Sequence, residues 1–380
     1  MKKILAFFLF LLCNHICGRD LAPEITELWG GDKYCSFTSI IKFQGKFYVS
    51  FREGEGHVFG PDGEARGKIR ILQSKDGKKW KSVYLGEKEG YDLRDPKLSI
   101  TPDGRLMVIV GGSIYRDKKL QGQEPHVCFS SDGINYSELQ RITIDGRLPS
   151  SDWIWRVTWH DGVGYGIDYG AEKGTRFLRL LSTKDGIHFS TITDLDVPGF
   201  PNEATIRFTQ DGRMALMVRR DDADAMGYWA VSQAPYTQWD WKKMEMRLGG
   251  QDFLFYGDNI IASTRSHYIP SRCKTVILKG NETGRFEEVM VLPSGGDTSY
   301  PGLLIEGEEL WVSYYSTHAS SMAKVYLAKI PLKALGIEPI GNKVKERRIR
   351  LYPKALKRHT FRQHWRGQKR QRVVLAVSTR

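Results

Sequence analysis

Short apolar runs of strand length alternate with turn sequences along most of the chain. Typical runs read RLMVIVGG from Arg105 and MALMVRR from Met214, and each follows a TPDG or TQDG turn that begins at Thr101 or Thr209. Runs of this length, rich in β-branched and aromatic residues and bounded by glycine-containing turns, are typical of β-strands. The pattern predicts an all-β protein with many tight connections.

One turn sequence recurs at a regular interval. The pattern Ser/Thr-x-Asp-Gly-x-x-aromatic occurs at residues 74–80, 130–136 and 183–189, and a degenerate copy occupies residues 232–239. We call these four segments the turn boxes. Asp-Gly favours a tight turn, since glycine accepts a positive φ and aspartate bonds to nearby amides.

The spacing of the turn boxes indicates the architecture. One box per ~50 residues, with several strands between, is typical of four-stranded propeller blades. A β-sandwich and a β-solenoid are the alternatives, but a solenoid has a shorter period and a sandwich has no such repeat. Residues 30–335 would therefore hold six blades. With no linker of Pro, Ser or Gly inside it, we expect one propeller domain at residues 25–338.

The N-terminus has the pattern of an export signal. Lys2 and Lys3 precede an unbroken apolar run at residues 4–13, which is too short to cross a bilayer but long enough for a signal-peptide core. We expect residues 1–19 to be a signal peptide and the protein to be secreted or periplasmic, without a transmembrane segment. Lipid attachment at Cys17 is a weaker alternative.

The net charge of +13 is confined to one end of the chain. Residues 341–380 contain 14 Lys or Arg and one Glu, so the preceding residues are neutral overall. We expect residues 339–380 to be a loose basic tail, although such a tail can also contact anionic polymers or lipids. The main body has no interleaved basic and aromatic residues, so no nucleic-acid partner is expected.

The cysteines beyond the signal, Cys35, Cys128 and Cys273, are too few and too widely spaced for a disulfide framework or a zinc site. We expect buried thiols with at most one bridge. The chain also has no calcium loop, phosphate loop or nucleotide fingerprint, so neither a metal nor a cofactor is predicted.

Four further segments, together with the turn boxes, resemble the sequences of a known family. PNEATIRFTQDGRMALMVRR, GDTSYPGLLIEGEELWVSYYS, IIASTRSHY and FYVSFREGEGH, together with the turn boxes, resemble the sialidase superfamily of six-bladed propellers, particularly the sialidase-like proteins that bacteria export. This resemblance implies that Tyr300 is a nucleophile with Glu203 as its base. It implies that Arg219 and Arg265 bind a substrate carboxylate and that Arg52 faces the sugar hydroxyls or a substituent.

The chemistry implied by this pair has a physical reason. A sugar with a carboxylate on its anomeric carbon repels a carboxylate nucleophile, and a neutral tyrosine avoids that repulsion. Because the tyrosine pKa is near 10, a nearby carboxylate must take its proton during attack. Arginine suits the substrate carboxylate since its planar fork binds two oxygens. Alternation along the strand sends Arg219 and Arg220 to opposite faces, and the spacing from Glu203 favours Arg219.

Two positions depart from the family pattern. Thr38 lies where the first carboxylate-binding arginine is expected. The second departure concerns the general acid, for which the loop after the early arginine offers two candidates: Asp62 fits by distance, whereas His57 can exchange a proton near neutral pH. Glu53 and Glu55 are further rivals.

Other polar residues extend the candidate site. Arg94 and Asp95 precede the apolar part of a strand and can supply polar contacts that the missing arginine does not. Asp168 is the polar candidate in an aromatic-rich segment, residues 151–170.

The function that this combination favours is an exo-α-sialidase-like glycoside hydrolase, acting with retention on a terminal, acidic sugar of a glycan. Because Thr38 replaces the first arginine, the sugar stays open between sialic acid, a related keto-acid sugar, a uronic acid and a neutral sugar. We expect a monomer. A polysaccharide lyase that uses His57, Tyr300 and Arg265 for β-elimination, or a glycan-binding propeller without catalysis, are the alternatives.

Overall fold

The computed structural model describes residues 21–340, apart from residues 173, 222, 223 and 268. The predicted signal peptide and the basic tail beyond residue 340 lie outside the described residues. In the described part, no helix is long and apolar enough to cross a membrane.

The described chain is built from β-strands with two short 3₁₀ turns, Pro270–Arg272 and Leu332–Leu335. In chain order the strands are β1 (Glu24–Trp29), β2 (Tyr34–Phe43), β3 (Lys46–Gly54), β4 (Lys68–Ser74), β5 (Trp80–Gly86), β6 (Asp92–Ile100), β7 (Leu106–Arg116), β8 (Lys119–Ser130), β9 (Gln140–Arg141), β10 (Thr143–Ile144), β11 (Asp152–His160), β12 (Val163–Glu172), β13 (Thr175–Thr183), β14 (His188–Asp194), β15 (Pro201–Phe208), β16 (Met214–Arg220), β17 (Met226–Ser232), β18 (Lys242–Arg247), β19 (Asp252–Tyr256), β20 (Asn259–Arg265), β21 (Thr275–Gly280), β22 (Phe286–Val291), β23 (Thr298–Glu306), β24 (Glu309–Ser316) and β25 (Lys324–Pro331).

These strands form six sheets, which are the blades of a propeller. Four blades are meanders, β2–β5, β6–β9, β15–β18 and β19–β22, and one contains β11–β14 with β10 added parallel to β14. In the sixth blade β1 pairs with β25, so the N-terminal strand closes the ring beside β23–β25. The prediction of an all-β, six-bladed propeller is confirmed.

The turn boxes connect the third and fourth strands of four blades. In the box at residues 74–80, Ser74 Oγ accepts the Gly77 N–H at 2.9 Å, and Asp76 Oδ1 accepts the N–H groups of Lys78 and Lys79 at 2.9 and 3.0 Å. The bonds satisfy amides that the sheet leaves free, which is why the Asp-Gly pair recurs.

Box glycines also make contacts between blades. A Cβ at Gly77 would overlap Trp311 of β24, and one at Gly133 would overlap the ring of Tyr48 in β3. Both contacts join a box to the preceding blade in the ring. Glycine is therefore required for its positive φ and for this close approach.

The first strands of the blades ring the central axis and pack against one another in turn. Five of them share a register shift in which two residues bulge out of the pairing with the second strand. The bulged pairs are Phe37-Thr38, Asp95-Pro96, Trp155-Arg156, Asn202-Glu203 and Tyr300-Pro301. A bulge bends its strand and redirects its side chains, so these pairs project where the five strands converge.

Blade interfaces supply the hydrophobic core. One cluster joins Ile261 and Ile277 of the fifth blade to Leu310 and Val312 of the sixth. Cys35, Cys128 and Cys273 are buried free thiols, as expected from their spacing.

We predict that Gly133→Ala destabilises the protein more than Gly104→Ala. Both glycines have positive φ, but only Gly133 faces a buried ring, whereas the space at Gly104 is open. The added methyl group at Gly133 therefore brings an overpacking cost of about 1–3 kcal/mol in the free energy of unfolding. Denaturant titration of the two variants measures the difference, and equal midpoints would contradict the packing assigned to the box.

Candidate active site

Glu203 and Tyr300 form the centre of the candidate site. They occupy the bulges of β15 and β23, and the Tyr300 hydroxyl donates a 2.6 Å hydrogen bond to Glu203 Oε1. The Gly250 N–H donates to the other carboxylate oxygen at 2.8 Å. Gly250 has a positive φ, and a Cβ there would overlap the Tyr300 ring, so glycine is needed for this approach.

Arg219 connects the two members of this pair. Its Nη1 lies 3.0 Å from the Tyr300 hydroxyl and 3.0 Å from Glu203 Oε1. Its Nη2 donates to Asp221 at 3.0 Å. Arg220 points the other way and bonds the carbonyls of Met226 and Pro198. The structure thus brings Arg219, the residue favoured by strand alternation, to the pair.

The electrostatics of the pair keep the proton on the tyrosine. Burial and the negative charge of Glu203 raise the pKa of Tyr300 above its ordinary value, against the opposing effects of Arg219 and Arg265. Burial alone would raise the pKa of Glu203, but the Arg219 charge and hydrogen bonds from Tyr300, Arg219 and Gly250 outweigh it and lower that pKa. A neutral hydroxyl therefore faces an ionised carboxylate across one short hydrogen bond.

Further cations surround Tyr300. The guanidinium of Arg265 lies 5.7 Å from the centre of the Tyr300 ring, and that of Arg94 lies 4.9 Å from the Phe37 ring. Sequence reasoning missed Arg247, which lies 3.9 Å from Asp221 and whose pKa is lowered by burial and by the nearby charges of Arg219 and Arg265. Arg219, Arg247 and Arg265 lie at or next to the ends of strands β16, β18 and β20. This shared strand-end position is the sequence signal by which Arg247 could have been identified.

The place of the missing arginine is filled differently. Thr38 Oγ1 donates to the Tyr300 carbonyl at 3.0 Å. The buried ammonium of Lys97 donates to the Thr38 carbonyl at 3.0 Å and lies 4.6 Å from the Trp155 ring centre. Burial lowers the pKa of Lys97. Sequence reasoning did not identify this lysine, whose position in an ordinary strand sequence gives no signal.

His57 reaches the site through Asp297. Its Nδ1 lies 2.6 Å from Asp297 Oδ2, and Tyr315 donates to the other oxygen of that carboxylate at 2.7 Å. Burial favours the protonated form of Asp297, but hydrogen bonds from His57, Tyr34 and Tyr315 outweigh it and lower its pKa to about 2. The structure thus brings His57 to the site, and Asp297, three residues before Tyr300, is a site residue that the sequence analysis did not name.

Three candidates from the sequence do not reach the central cavity. Arg52 is fully buried and pairs with Asp92 at 2.6 Å, and it also donates to the Gly56 carbonyl at 2.8 Å. It therefore anchors the loop that carries His57 and does not face a sugar. Its position is explained by charge pairing with Asp92 of the neighbouring blade.

The other two candidates differ in exposure. Asp62 is an exposed side chain held by Arg66 at 2.5 Å, and it does not line the cavity. Asp168 is fully buried beside Asp152, and burial followed by that neighbouring charge raises its pKa well above its ordinary value. It too lies outside the cavity lining.

An open cavity of about 190 Å³ lies above the pair. Its lining includes the rings of Phe37, Trp153, Tyr169 and Tyr300, with His57, Arg94 and Asp95 as charged or ionisable members. Most of the surface that the cavity exposes is polar, and its polar groups converge from several strands. Three of the bulged residues, Phe37, Asp95 and Tyr300, thus line one pocket.

Solved structures resemble this fold, whereas no protein-family model and no curated protein matches the sequence. A protein of unknown function from Dyadobacter fermentans DSM 18053 superposes with a TM-score of 0.69 at 17% identity, covering 81% of this chain and 98% of that one. The sialidase of Trypanosoma rangeli bound to the inhibitor DANA gives 0.62 at 10% identity, over 81% and 59% of the two chains. The α-L-arabinanase of Penicillium chrysogenum gives 0.62 at 14% identity, over 81% and 99%.

At such identities the comparison establishes the fold, a six-bladed propeller of the sialidase type. The neighbours include a sialidase and an α-L-arabinanase, so any activity of this chain must be argued from its own residues.

We predict that Arg52→Leu destabilises the protein by about 3–5 kcal/mol, because it leaves the Asp92 charge buried without its partner. The matched control is Arg66→Leu, which removes an exposed partner of Asp62 and is expected to change stability little. Thermal and denaturant unfolding measure both. An Arg52 variant as stable as the Arg66 variant would contradict the structural role.

Proposed function

We propose that this protein is an exported glycoside hydrolase of the sialidase type, which releases a terminal acidic sugar with retention of configuration. The observation that supports it most strongly is the 2.6 Å hydrogen bond from the buried Tyr300 hydroxyl to the Glu203 carboxylate, with Tyr300 in the lining of a cavity of about 190 Å³. Export rests on residues 1–19, which have the pattern of a signal peptide.

Tyr300 acts as the nucleophile in this proposal. As its oxygen bonds to the anomeric carbon, its proton passes along the existing hydrogen bond to Glu203. Arg219, 3.0 Å from both oxygens, stabilises negative charge as it moves between them. A glycosyl-tyrosine intermediate forms, and water then releases the sugar, with Glu203 returning the proton to Tyr300. Two displacements give retention.

The substrate class follows from the charges. Arg219 lies 3.0 Å from the Tyr300 hydroxyl, Arg265 lies 5.7 Å from its ring centre, and Arg94 is near enough to feel its charge. Arg247 lies near Arg219 and Arg265, whose charges act on it. The positive potential of these arginines favours an anionic ligand. A tyrosine nucleophile is useful when the anomeric carbon itself carries a carboxylate, because a carboxylate nucleophile would be repelled. We therefore propose α-ketosides of sialic acid or of a related 2-keto sugar acid as substrates.

We predict that Tyr300→Phe and Glu203→Gln each abolish turnover while leaving the fold intact. Loss of the base alone is expected to lower kcat by about 10²–10⁴-fold. The matched control is Tyr91→Phe. It deletes a hydroxyl that lies outside the site and donates a 2.6 Å hydrogen bond to Glu124. The assay is release of 4-methylumbelliferone from α-ketosides of sialic acid and of 3-deoxy-2-keto sugar acids, with neutral glycosides in parallel.

Full activity in both variants would overturn the mechanism. An ultraviolet-absorbing unsaturated product would instead identify β-elimination, and tight glycan binding without turnover would identify a binding propeller.

We predict that Arg265→Gln raises KM for the acidic substrate by about tenfold to a hundredfold, because one charge-assisted hydrogen bond to the carboxylate is lost. The methyl ester of the same substrate carries no such charge and should show a much smaller change. Arg213→Gln removes a surface arginine that pairs with Asp211 at 2.8 Å and serves as the control. An equal effect of Arg265→Gln on acid and ester would show that Arg265 does not recognise the carboxylate.

A further inference from the structure

Asp95 occupies an unusual position in the cavity. It is the first bulged residue of β6, its φ is 50°, and only 8% of its surface is exposed. Phe37 and Tyr300, the first bulged residues of β2 and β23, share this left-handed backbone, which costs a residue with a side chain roughly 1–2 kcal/mol. The bulge places Asp95 in the same cavity lining as Tyr300.

The carboxyl group of Asp95 is poorly paired. Its Oδ1 is buried and has no hydrogen-bond partner among the described residues. The closest cation is the ammonium of Lys97 at 3.8 Å, beyond hydrogen-bond distance, because that ammonium donates to the Thr38 carbonyl instead. A buried carboxyl in this setting favours its protonated form.

Charged groups from several strands face Asp95. Burial raises its pKa, as does the charge of Glu203 on β15, while Lys97 and Arg94 on its own strand and Arg156 on β11 oppose the rise. The balance leaves its pKa above the ordinary value. The hydroxyls of Tyr169 and Tyr300, on β12 and β23, are also near enough for their pKa values to be raised by the Asp95 charge.

The rival proton donors are committed elsewhere. His57 Nδ1 faces the Asp297 carboxylate and donates to it, while Nε2 lies 3.3 Å from an Arg94 nitrogen and accepts. Neither ring nitrogen then offers a proton to a leaving group. Asp62 is exposed, and its hydrogen bond with Arg66 lowers its pKa, which favours the carboxylate.

We propose that Asp95 is the general acid of the first displacement and the general base of the second. The assignment rests on the proposed function, since Asp95 supplies the proton that glycoside cleavage requires. Asp95 thus takes the role of general acid for which Asp62 and His57 were the candidates.

The proton and electron pairs balance as follows. In the first step the Tyr300 oxygen bonds to the anomeric carbon, its proton moves to Glu203, and the bond to the leaving oxygen breaks as that oxygen takes the Asp95 proton. In the second step the Asp95 carboxylate takes a proton from water, the water oxygen bonds to the anomeric carbon, and the bond to Tyr300 breaks. Glu203 then returns the proton to Tyr300.

Lys97 is the positioning residue in this cycle. Its ammonium, 3.8 Å from Asp95, stabilises the carboxylate that exists between the two steps. Burial and the charge of Glu203 favour protonated Asp95 before the first step. Lys97 then lowers the free-energy cost of the Asp95 carboxylate that forms when the proton leaves. This arrangement suits a group that must act first as acid and then as base.

The test compares two α-ketosides of sialic acid, one with 4-methylumbelliferone and one with lactose as the leaving group. With Asp95→Asn, cleavage of the lactosyl substrate should fall by about 10²–10⁴-fold. The glycosylation rate on the activated substrate should fall far less, because its leaving group needs no proton. Azide should accelerate turnover of the variant and yield a glycosyl azide of retained configuration. Asp62→Asn should match wild type on both substrates.

Equal losses on the two substrates, without azide rescue, would mean that Asp95 only holds the sugar, and would overturn the proposal. Such a result would not affect the roles proposed for Tyr300 and Glu203. A wild-type protein that cleaves neither ketoside would instead contradict the proposed function itself.

A second measurement does not depend on turnover. Carbon-13 NMR of protein labelled at aspartate carboxyl groups, with Asp95→Asn to assign the signal, reports the titration of Asp95 directly. We expect a midpoint above the ordinary value near 4 for aspartate. A midpoint at or below that value would overturn the assignment of Asp95 as the acid, whatever the substrate.

Discussion

The hydrogen bond between Tyr300 and Glu203 is the interaction on which the site depends. It joins the fourth and sixth blades, and it requires a neutral phenol beside an ionised carboxylate in a buried place. An isolated buried carboxylate is costly. Arg219 and the Gly250 N–H offset that cost, and they also hold the carboxylate in the orientation in which it can accept the phenol proton.

The propeller makes this pairing possible through a β-bulge that recurs in the first strands of its blades. Bulges near the start of five first strands turn residues from the sheet plane toward the axis, so that Phe37, Asp95, Trp155, Glu203 and Tyr300 converge from different blades. The turn boxes act at the outer side, where they join blades by close glycine contacts. Rigid packing between the blades thus holds the central side chains in a fixed arrangement.

The sequence was sufficient for the architecture, because a turn that recurs about every 50 residues follows from a local rule about Asp-Gly turns. It also predicted Glu203, Tyr300 and Arg219 as one group from segments with recognisable neighbours, and these three side chains are in contact. It did not foresee that Arg52 pairs internally with Asp92, or that Lys97 occupies the space beside Thr38. Those outcomes depend on contacts between strands of different blades and on a bulge, neither of which leaves a periodic signal in the chain.

The central claim, that Tyr300 is the nucleophile, is tested most directly by trapping the covalent intermediate. The protein would be incubated with 2,3-difluorosialic acid, digested, and analysed by tandem mass spectrometry. A fluorosialyl adduct on the peptide that contains Tyr300, absent from Tyr300→Phe, is the predicted result. An adduct on a carboxylate, or hydrolysis that proceeds with inversion and without any adduct, would contradict the account.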